Sequence, residues 1–179
     1  MKGAHDPTMD DADIRSLLVR HHPSSFGWAL HCARYDRAEA EETLQIAYLK
    51  VLDGRARFDG RASFRTWLFG VIRRTAAERR RWRVARALLL NRWHAAEPWP
   101  TSTADDPLAQ VVRDEAARAL VGALGRLPAR QRDVLHLVFY QSMSIAEAAA
   151  TLRIRIGTAR THYERGKQRL RALLREARP

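Results

Sequence analysis

Apolar residues recur along this chain at the three- and four-residue spacing of helix faces, and no sustained two-residue alternation of strands occurs. This periodicity predicts an all-α fold of two small helical domains joined by a flexible linker. The first group of helices is predicted at residues 10–21, 24–35, 38–53 and 62–86. The second group is predicted at residues 107–125, 129–140, 144–152 and 156–176. The domains and the linker between them are expected at residues 10–86, 87–107 and 108–177.

The last part of the chain has the pattern of a helix-turn-helix. Ser144 and Glu147 form the S-x-x-E pattern of a capping box, which predicts the start of a short helix. The longer helix after it has one apolar side, formed by Ala159, Tyr163, Gly166, Leu170 and Leu173. Its other side is basic, and a short helix followed by a turn and a basic helix is typical of a major-groove reader. An ordinary helical hairpin with a solvated basic face is the alternative.

The formal net charge of +12 is concentrated in two blocks. Residues 61–95 carry a net charge of +9 and residues 130–179 a net charge of +7. Residues 1–60 and residues 96–129 each carry a net charge of −2. Two basic blocks separated by nearly neutral sequence favour two contacts along one polyanion.

The first basic block interleaves aromatic residues with arginines. Ser63 is predicted to cap a helix whose inward face is formed by Phe64, Trp67, Leu68, Val71 and Ile72. Its outward residues are predicted to be Arg65, Arg73, Arg74, Arg80 and Arg81. Rings that stack on bases beside guanidiniums that hold phosphates suit single-stranded nucleic acid. The alternative, favoured for Trp67, is that the aromatic residues only form core, whereas Trp82 is expected to be partly exposed.

The helix predicted before this block is acidic. Its apolar stripe is formed by Ala40, Leu44, Ala47, Tyr48 and Val51. Off that stripe lie Glu39, Glu41, Glu42 and Gln45. An acidic helix beside an arginine-rich one is poorly suited to DNA and better suited to a basic protein partner. A solvated acidic face is the alternative.

Several functional classes are not expected. A single cysteine, Cys32, allows no intrachain disulfide and favours a reducing, cytoplasmic setting. The acidic N-terminus is not a secretory signal, and no apolar run is long enough to predict membrane insertion. His21-His22 and His31-Cys32 are adjacent pairs whose side chains diverge by about 100° on a helix, so a metal site is not expected. No Gly-rich phosphate loop or nucleophile–base set predicts an enzyme or a cofactor.

Four segments, in this order, resemble the extracytoplasmic-function (ECF) group of bacterial RNA polymerase sigma factors. Residues 39–51 are similar to the family's core-polymerase-binding helix, and residues 58–69 to its F-x-G-x-A-S-F-x-x-W-L stretch before the −10 promoter helix. Residues 127–141 are similar to the L-P-x-x-x-R-x-V-L-x-L opening of the family's second domain. Residues 144–170 are similar to its −35 promoter reader.

The resemblance implies that the chain binds core RNA polymerase and recognises the −10 and −35 elements of promoter DNA. The implied polymerase contacts are Glu41, Glu42, Gln45, Tyr48 and Leu49. The implied −10 contacts are Arg61, Ser63, Arg65, Arg73, Arg74, Arg80 and Arg81. The implied −35 contacts are Arg155, Gly157, Thr158, Arg160, Thr161, Arg165 and Lys167. An anti-sigma factor is a further implied partner.

Some points stay open at this stage. Arg160 and Arg165 suit either base edges or phosphates. Arg153 occupies the turn where glycine is usual in the family, so either it accepts the turn conformation without glycine's freedom or the turn is reshaped. The alternative function is an autonomous helix-turn-helix regulator that binds duplex DNA as a dimer, but it gives no use to the first domain. Trp93 and Trp99 in the linker are expected to dock on the chain's own domains rather than on a partner.

Overall fold

Helices fill most of the two ranges that the computed structural model describes, residues 10–90 and 115–176, and no strand occurs in those ranges. The first three helices are α1 (Asp11–Cys32), α2 (Arg37–Leu52) and α3 (Phe64–Leu90). The next four are α4 (Glu115–Gly125), α5 (Ala129–Leu135), α6 (Ile145–Leu152) and α7 (Ile156–Glu176). A π-helical turn, His136–Tyr140, directly continues α5. The predicted all-α fold class is confirmed.

Helix α1 is continuous where the sequence predicts two helices, at residues 10–21 and 24–35. Pro23 lies inside it, although an interior proline costs about 3 kcal/mol through a lost hydrogen bond and a ring clash. Leu18 before the proline and Trp28 after it are both buried in the same core. Packing on both sides of Pro23 therefore outweighs the local cost and holds the two halves in one helix.

The first domain is a three-helix unit of α1, α2 and α3. The side chains of Trp28, Leu68, Phe69 and Ile72 are completely buried in its core. The indole nitrogen of Trp28 donates a hydrogen bond of 3.0 Å to the carbonyl oxygen of Phe69. This bond satisfies the polar atom of the largest buried side chain and fixes α1 against α3.

The second domain packs α7 against α4 and α5. Ala123, Leu127, Leu135 and Leu173 form its own small core. Gly166 of α7 is buried, and a Cβ built on it would lie 3.1 Å from Cδ1 of Leu135. The absence of a side chain at Gly166 is therefore what lets α5 lie this close to α7.

The two domains share a buried contact that the sequence does not predict. Leu68, Phe69 and Ile72 of α3 belong to the same apolar cluster as Leu137 and Leu152 of the second domain. Helix α6, the first helix of the helix-turn-helix, lies directly on α3. The first turns of helix α7 remain exposed to solvent beside this contact.

Helix α3 ends at Leu90, four residues beyond the end predicted at residue 86. Several predictions lie outside the described residues and have no structural counterpart to compare. They concern the linker after Leu90, the tryptophans Trp93 and Trp99, and the first part of the helix predicted at residues 107–125.

Candidate nucleic-acid and partner interfaces

The helix-turn-helix is built by two local devices. The capping box is present: the amide of Glu147 donates to Ser144 Oγ at 3.2 Å, and the amide of Ser144 donates to Glu147 Oε2 at 2.8 Å. The hydrogen bonds from Ser144 lower the pKa of Glu147. Arg153 ends α6 in the left-handed conformation, with φ 53° and ψ 49°. The arginine thus takes the conformation that glycine usually supplies at this position, the turn is not reshaped, and α7 starts three residues later.

The predicted −35 residues lie at the start of α7, and most of them are free to meet a ligand. Those with exposed side chains or backbone are Arg155, Gly157, Thr158, Arg160, Thr161 and Arg165. Lys167 differs, because its ammonium lies 3.1 Å from Glu164 and 4.4 Å from the centre of the Tyr163 ring. Exposed backbone amides at a helix N-terminus beside arginines form a surface that binds phosphate.

The predicted −10 residues fall into two groups. Arg61, Arg80 and Arg81 are exposed, and the hydroxyl of Ser63 accepts a hydrogen bond of 3.2 Å from the amide of Thr66, as predicted for a cap. Arg65, Arg73 and Arg74 are only partly exposed, because the second domain lies beside them. The predicted outward direction of α3 arginines therefore holds for one group and not for the other.

Arg65 and Arg73 contact the second domain directly. The guanidinium of Arg65 donates to the carbonyl oxygen of Gln141. The Nε atom of Arg73 lies 3.8 Å from the carboxylate of Asp133. Burial lowers the pKa of Arg73, an effect that the Asp133 carboxylate opposes. Burial and the positive charge of Arg153 lower the pKa of Arg74.

A cavity of about 350 Å³ lies between the loop after α2 and the side of α3. Trp67 and Arg74 line it from α3, and Arg55 and Arg57 line it from the loop. Trp67 is half-buried and packs edge-on against Phe58, with ring centres 5.4 Å apart. The cavity joins an aromatic wall to guanidiniums, which is the chemistry of a base-and-phosphate contact. The sequence pattern did not single out Arg55 and Arg57.

Three of the five predicted polymerase contacts line a groove between α1 and α2. The groove has a volume of about 440 Å³, and Glu41, Gln45 and Tyr48 are among its lining residues. Glu41 accepts a hydrogen bond of 2.9 Å from Arg37. The pKa of Tyr48 is raised by burial, and its hydroxyl lies 3.3 Å from His22 Nδ1. Leu49 is 51% exposed beside the groove, which gives this face an apolar component.

Glu42 is engaged in a network that the sequence did not reveal. Arg79 of α3 bonds Glu42 and, at 2.8 Å, Glu39 of α2. Arg83 adds a bond of 2.9 Å to Glu39. Burial opposes the ionisation of Glu39, but the hydrogen bonds from Arg79 and Arg83 outweigh it and lower its pKa. These partners lie about 40 residues apart, and no local pattern identifies such pairs.

Among residues 10–90 and 115–176, no group of three or more histidine, cysteine or acidic side chains has the arrangement of a metal site. Within the same ranges, no helix is both long and apolar enough to cross a membrane. Cys32 is a free thiol, and burial raises its pKa well above the ordinary value.

A helix-turn-helix with a basic second helix, together with a three-helix unit that carries an arginine-rich helix, has the architecture of a DNA-binding transcription protein. Two family models match the chain, Sigma-70 region 2 over residues 17–86 and Sigma-70 region 4 over residues 117–170. The ECF RNA polymerase sigma factor SigX of Bacillus subtilis is 32% identical over 148 residues, which cover 79% of this chain and 75% of SigX. The chain belongs to the ECF RNA polymerase sigma factors.

Two other comparisons agree with this family. The RNA polymerase sigma factor CarQ of Myxococcus xanthus is 30% identical over 163 residues, which cover 91% of this chain and 90% of CarQ. Among solved structures, the sigma factor RpoE in complex with the anti-sigma factor NepR from Bartonella quintana shares the fold with a TM-score of 0.68. That match has 23% identity and covers 93% of this chain and 99% of RpoE.

Proposed function

We propose that this chain directs core RNA polymerase to specific promoters in the cytoplasm. Helix α2 and its groove bind the polymerase, α3 with the loop before it binds the −10 element, and α7 binds the −35 element. The observation that carries the proposal is that one chain presents both an exposed basic helix in a helix-turn-helix and, on another domain, a separate groove lined by polar, aromatic and apolar side chains. An autonomous DNA-binding regulator has no need of the second feature.

The −35 role rests on the first turns of α7. Gly157, Thr158 and Thr161 let the start of the helix approach the DNA backbone, and their neighbours Arg160 and Arg165 reach into the groove. Arg155 adds a phosphate contact before the helix. Of the seven residues, Lys167 is expected to contribute least to −35 binding, because its ammonium already contacts Glu164 and the Tyr163 ring.

The −10 role rests on the loop after α2 and on α3. Arg61 and Ser63 lie where the loop meets the helix, and the cavity beside Trp67 offers a ring wall to an unstacked base. Arg65, Arg73 and Arg74 then follow one another along α3, and Arg80 and Arg81 extend the basic surface. This order suits a strand whose phosphates run along the helix while its bases turn inward.

The polymerase role rests on the groove between α1 and α2. Glu41, Gln45 and Tyr48 supply polar contacts there, and exposed Leu49 supplies apolar area at its edge. Glu42 contributes through Arg79, which fixes α2 on α3. A surface of this mixed character fits a basic and apolar helical partner better than it fits DNA.

Energy considerations require the polymerase. Opening about ten base-pair steps costs roughly 14 kcal/mol at ~1.4 kcal/mol per step. Stacking one or two unpaired bases on aromatic side chains returns only about 1–3 kcal/mol each. A chain of this size therefore selects the position of melting and depends on the polymerase for the remaining contacts.

An anti-sigma factor is included among the proposed partners. The support is the fold shared with RpoE, which was crystallised with the anti-sigma factor NepR. In this proposal residues 10–86 and residues 108–177 are the two functional domains, and residues 87–107 are the linker between them.

Run-off transcription with purified bacterial core RNA polymerase tests the proposal, using DNA fragments from upstream of the chain's own gene. We expect start sites that appear only when the chain is added. If the chain neither co-migrates with core polymerase nor gives any start site, the proposal is wrong, and the autonomous regulator takes its place.

A further inference from the structure

The side of α7 proposed for the −35 element carries a carboxylate among its arginines. Glu164 follows Arg160 by four residues and Thr161 by three, so the three side chains share one face of the helix. The side chain of Glu164 is 53% exposed, and its neighbour Arg165 is exposed as well. Glu164 therefore lies on the proposed DNA surface, although the sequence pattern gives it no role there.

A negative charge at this position opposes the binding of phosphates. Residues 130–179 have a net charge of +7, and attraction of such a surface to the DNA backbone supplies affinity for any sequence. The carboxylate of Glu164 lowers that affinity. It increases specificity, however, where it accepts a hydrogen bond from a base, because only one kind of site then offsets the repulsion.

The carboxylate of Glu164 is held in place by a series of contacts. The ammonium of Lys167 lies 3.1 Å from Glu164 Oε2 and 4.4 Å from the centre of the Tyr163 ring. Tyr163 in turn stacks on Phe139, with ring centres 5.7 Å apart. An exposed ion pair alone holds a carboxylate loosely. Here the stacked rings restrict the position of the lysine, and the lysine orients the carboxylate.

Glu164 also supplies a hydrogen-bonding group that its neighbours lack. The guanidiniums of Arg160 and Arg165 only donate hydrogen bonds, and an ionised carboxylate only accepts them. The hydroxyl of Thr161 donates a hydrogen bond of 3.0 Å to the carbonyl oxygen of Gly157, so it is directed at the helix backbone. The face therefore presents donors on both sides of one charged acceptor.

The chemistry of base edges decides which base suits this acceptor. In the major groove, guanine presents only acceptors and thymine presents an acceptor and a methyl group, so neither bonds a carboxylate. Adenine presents an amino donor beside the acceptor N7, which repels the second carboxylate oxygen. Cytosine presents its N4 amino group without an acceptor next to it on the same base, and it is the base whose amino group glutamate accepts from.

We propose that Glu164 determines a preference for cytosine at one position of the −35 element by accepting a hydrogen bond from the N4 amino group. Lys167 is a positioning residue that acts through Glu164. The inference rests on the −35 role proposed above for α7. It gives Lys167 a function in promoter reading that needs no phosphate contact.

The test is selection from a promoter library randomised over the −35 element, using holoenzyme assembled from core polymerase and the full chain. Glu164→Gln is the main variant, because glutamine keeps the size of the side chain and pairs best with adenine. Glu176→Gln is the matched control. It removes the same charge from the far end of the same helix, where Glu176 lies 3.7 Å from Arg126.

We expect the wild-type chain and Glu176→Gln to enrich cytosine at one position, and Glu164→Gln to lose that preference roughly tenfold and to favour adenine there instead. Replacing this cytosine by adenine in a single promoter should then restore run-off transcription by Glu164→Gln. A preference for cytosine that is unchanged in Glu164→Gln overturns the inference. A gain in binding that is uniform over all sequences also overturns it, because it reports only the removal of charge.

The role of Lys167 is measured in the same selection. Lys167→Met should weaken the cytosine preference, and Lys167→Arg should retain it because arginine keeps the charge over the Tyr163 ring. An unchanged preference in Lys167→Met overturns the positioning role. The proposed function is tested separately by the wild-type chain: selection without any −35 preference means that α7 does not read the promoter, whereas a preference that only ignores Glu164 leaves that function in place.

Discussion

The rings of His31 and His136 stack with their centres 4.1 Å apart, and they come from different domains. Trp28 lies against both rings, with ring centres 5.2 Å from His31 and 5.5 Å from His136. Burial and the nearby His31 lower the pKa of His136 to about 2. A neutral His136 is therefore part of the domain contact, and a protonated one is not compatible with it.

The first prediction is that acid weakens the domain contact through His136. An exposed histidine has a pKa near 6.5, so the stabilising effect of neutral His136 is complete above that pH and is lost as the pH falls toward 2. At pH 5 the loss is about 2 kcal/mol. Chemical denaturation and X-ray scattering between pH 7.5 and pH 5 measure it.

The variant His136→Phe is the control, because it keeps an aromatic ring in the stack and removes the titrating group. The other titratable groups at this contact stay in place, namely His31, Cys32, Arg73, Asp133 and Tyr140. We expect the wild-type chain to lose more stability than His136→Phe over this pH range. Equal losses in the two proteins would show that His136 is not responsible.

The second prediction concerns the carboxylates that Arg79 holds. Replacing Arg79 by Ala leaves the partly buried Glu39 without its main partner, and we expect the free energy of unfolding to fall by about 2 kcal/mol. The exposed Arg81 is two residues away, and Arg81→Ala should change stability by less than about 0.5 kcal/mol. Urea denaturation of both variants at pH 7 makes the comparison. If the free energy of unfolding falls equally little in both variants, the network of Arg79 with Glu39 and Glu42 does not hold α2 on α3.

Because the pKa of Glu39 is lowered, the stability that the Arg79–Glu39 pair contributes depends on pH. The stabilising effect of ionised Glu39 is present above its ordinary pKa and is lost as the pH falls through the lowered value. The difference in stability between the wild-type chain and Arg79→Ala should therefore shrink in acid.

The third prediction addresses promoter reading by α7. We expect Arg160→Ala to relax the preference at one or two −35 positions, with a cost of about 1–3 kcal/mol at those positions. Arg169 is exposed on the opposite side of the same helix, and Arg169→Ala should leave the preference unchanged. Selection from a randomised −35 library by holoenzyme measures both. A loss that is uniform over all sequences would assign Arg160 to phosphate alone.

The fourth prediction addresses the groove between α1 and α2. Glu41 is exposed, and its partner within the described ranges is Arg37 on its own helix. Glu41→Lys should therefore leave stability nearly unchanged while it weakens binding to core polymerase by at least about tenfold. Glu176→Lys makes the same charge change on the second domain and should bind normally. Fluorescence anisotropy with labelled chain and core polymerase gives both affinities. Normal binding by Glu41→Lys would remove this face from the polymerase interface.

Local patterns were sufficient to predict the helices and most of their faces. The capping box of Ser144 and Glu147 is formed as its sequence pattern predicts, because both partners lie within one helical turn. The sequence left two outcomes for Arg153, the usual turn conformation or a reshaped turn, and its φ of 53° shows the first. The continuity of α1 through Pro23 was not predicted, because packing by distant helices decides it.

Relationships between distant segments could not be read from the sequence. No sequence pattern singles out Asp133 of α5, and only the fold brings it to His31 and Arg73. Arg65 and Arg73 were expected to point outward, and they do so with respect to the first domain alone. The second domain covers them, and helix periodicity contains no information about a neighbouring domain.

The most direct test of the account is a permanganate and nuclease footprint of a promoter identified by run-off transcription. The chain alone, core polymerase alone and both together are compared on the same DNA. We predict protection of the −35 and −10 elements, with reactive unpaired thymines near −10, only when both proteins are present. Equal protection and opening by the chain alone would contradict the claim that it selects promoters as a subunit of RNA polymerase.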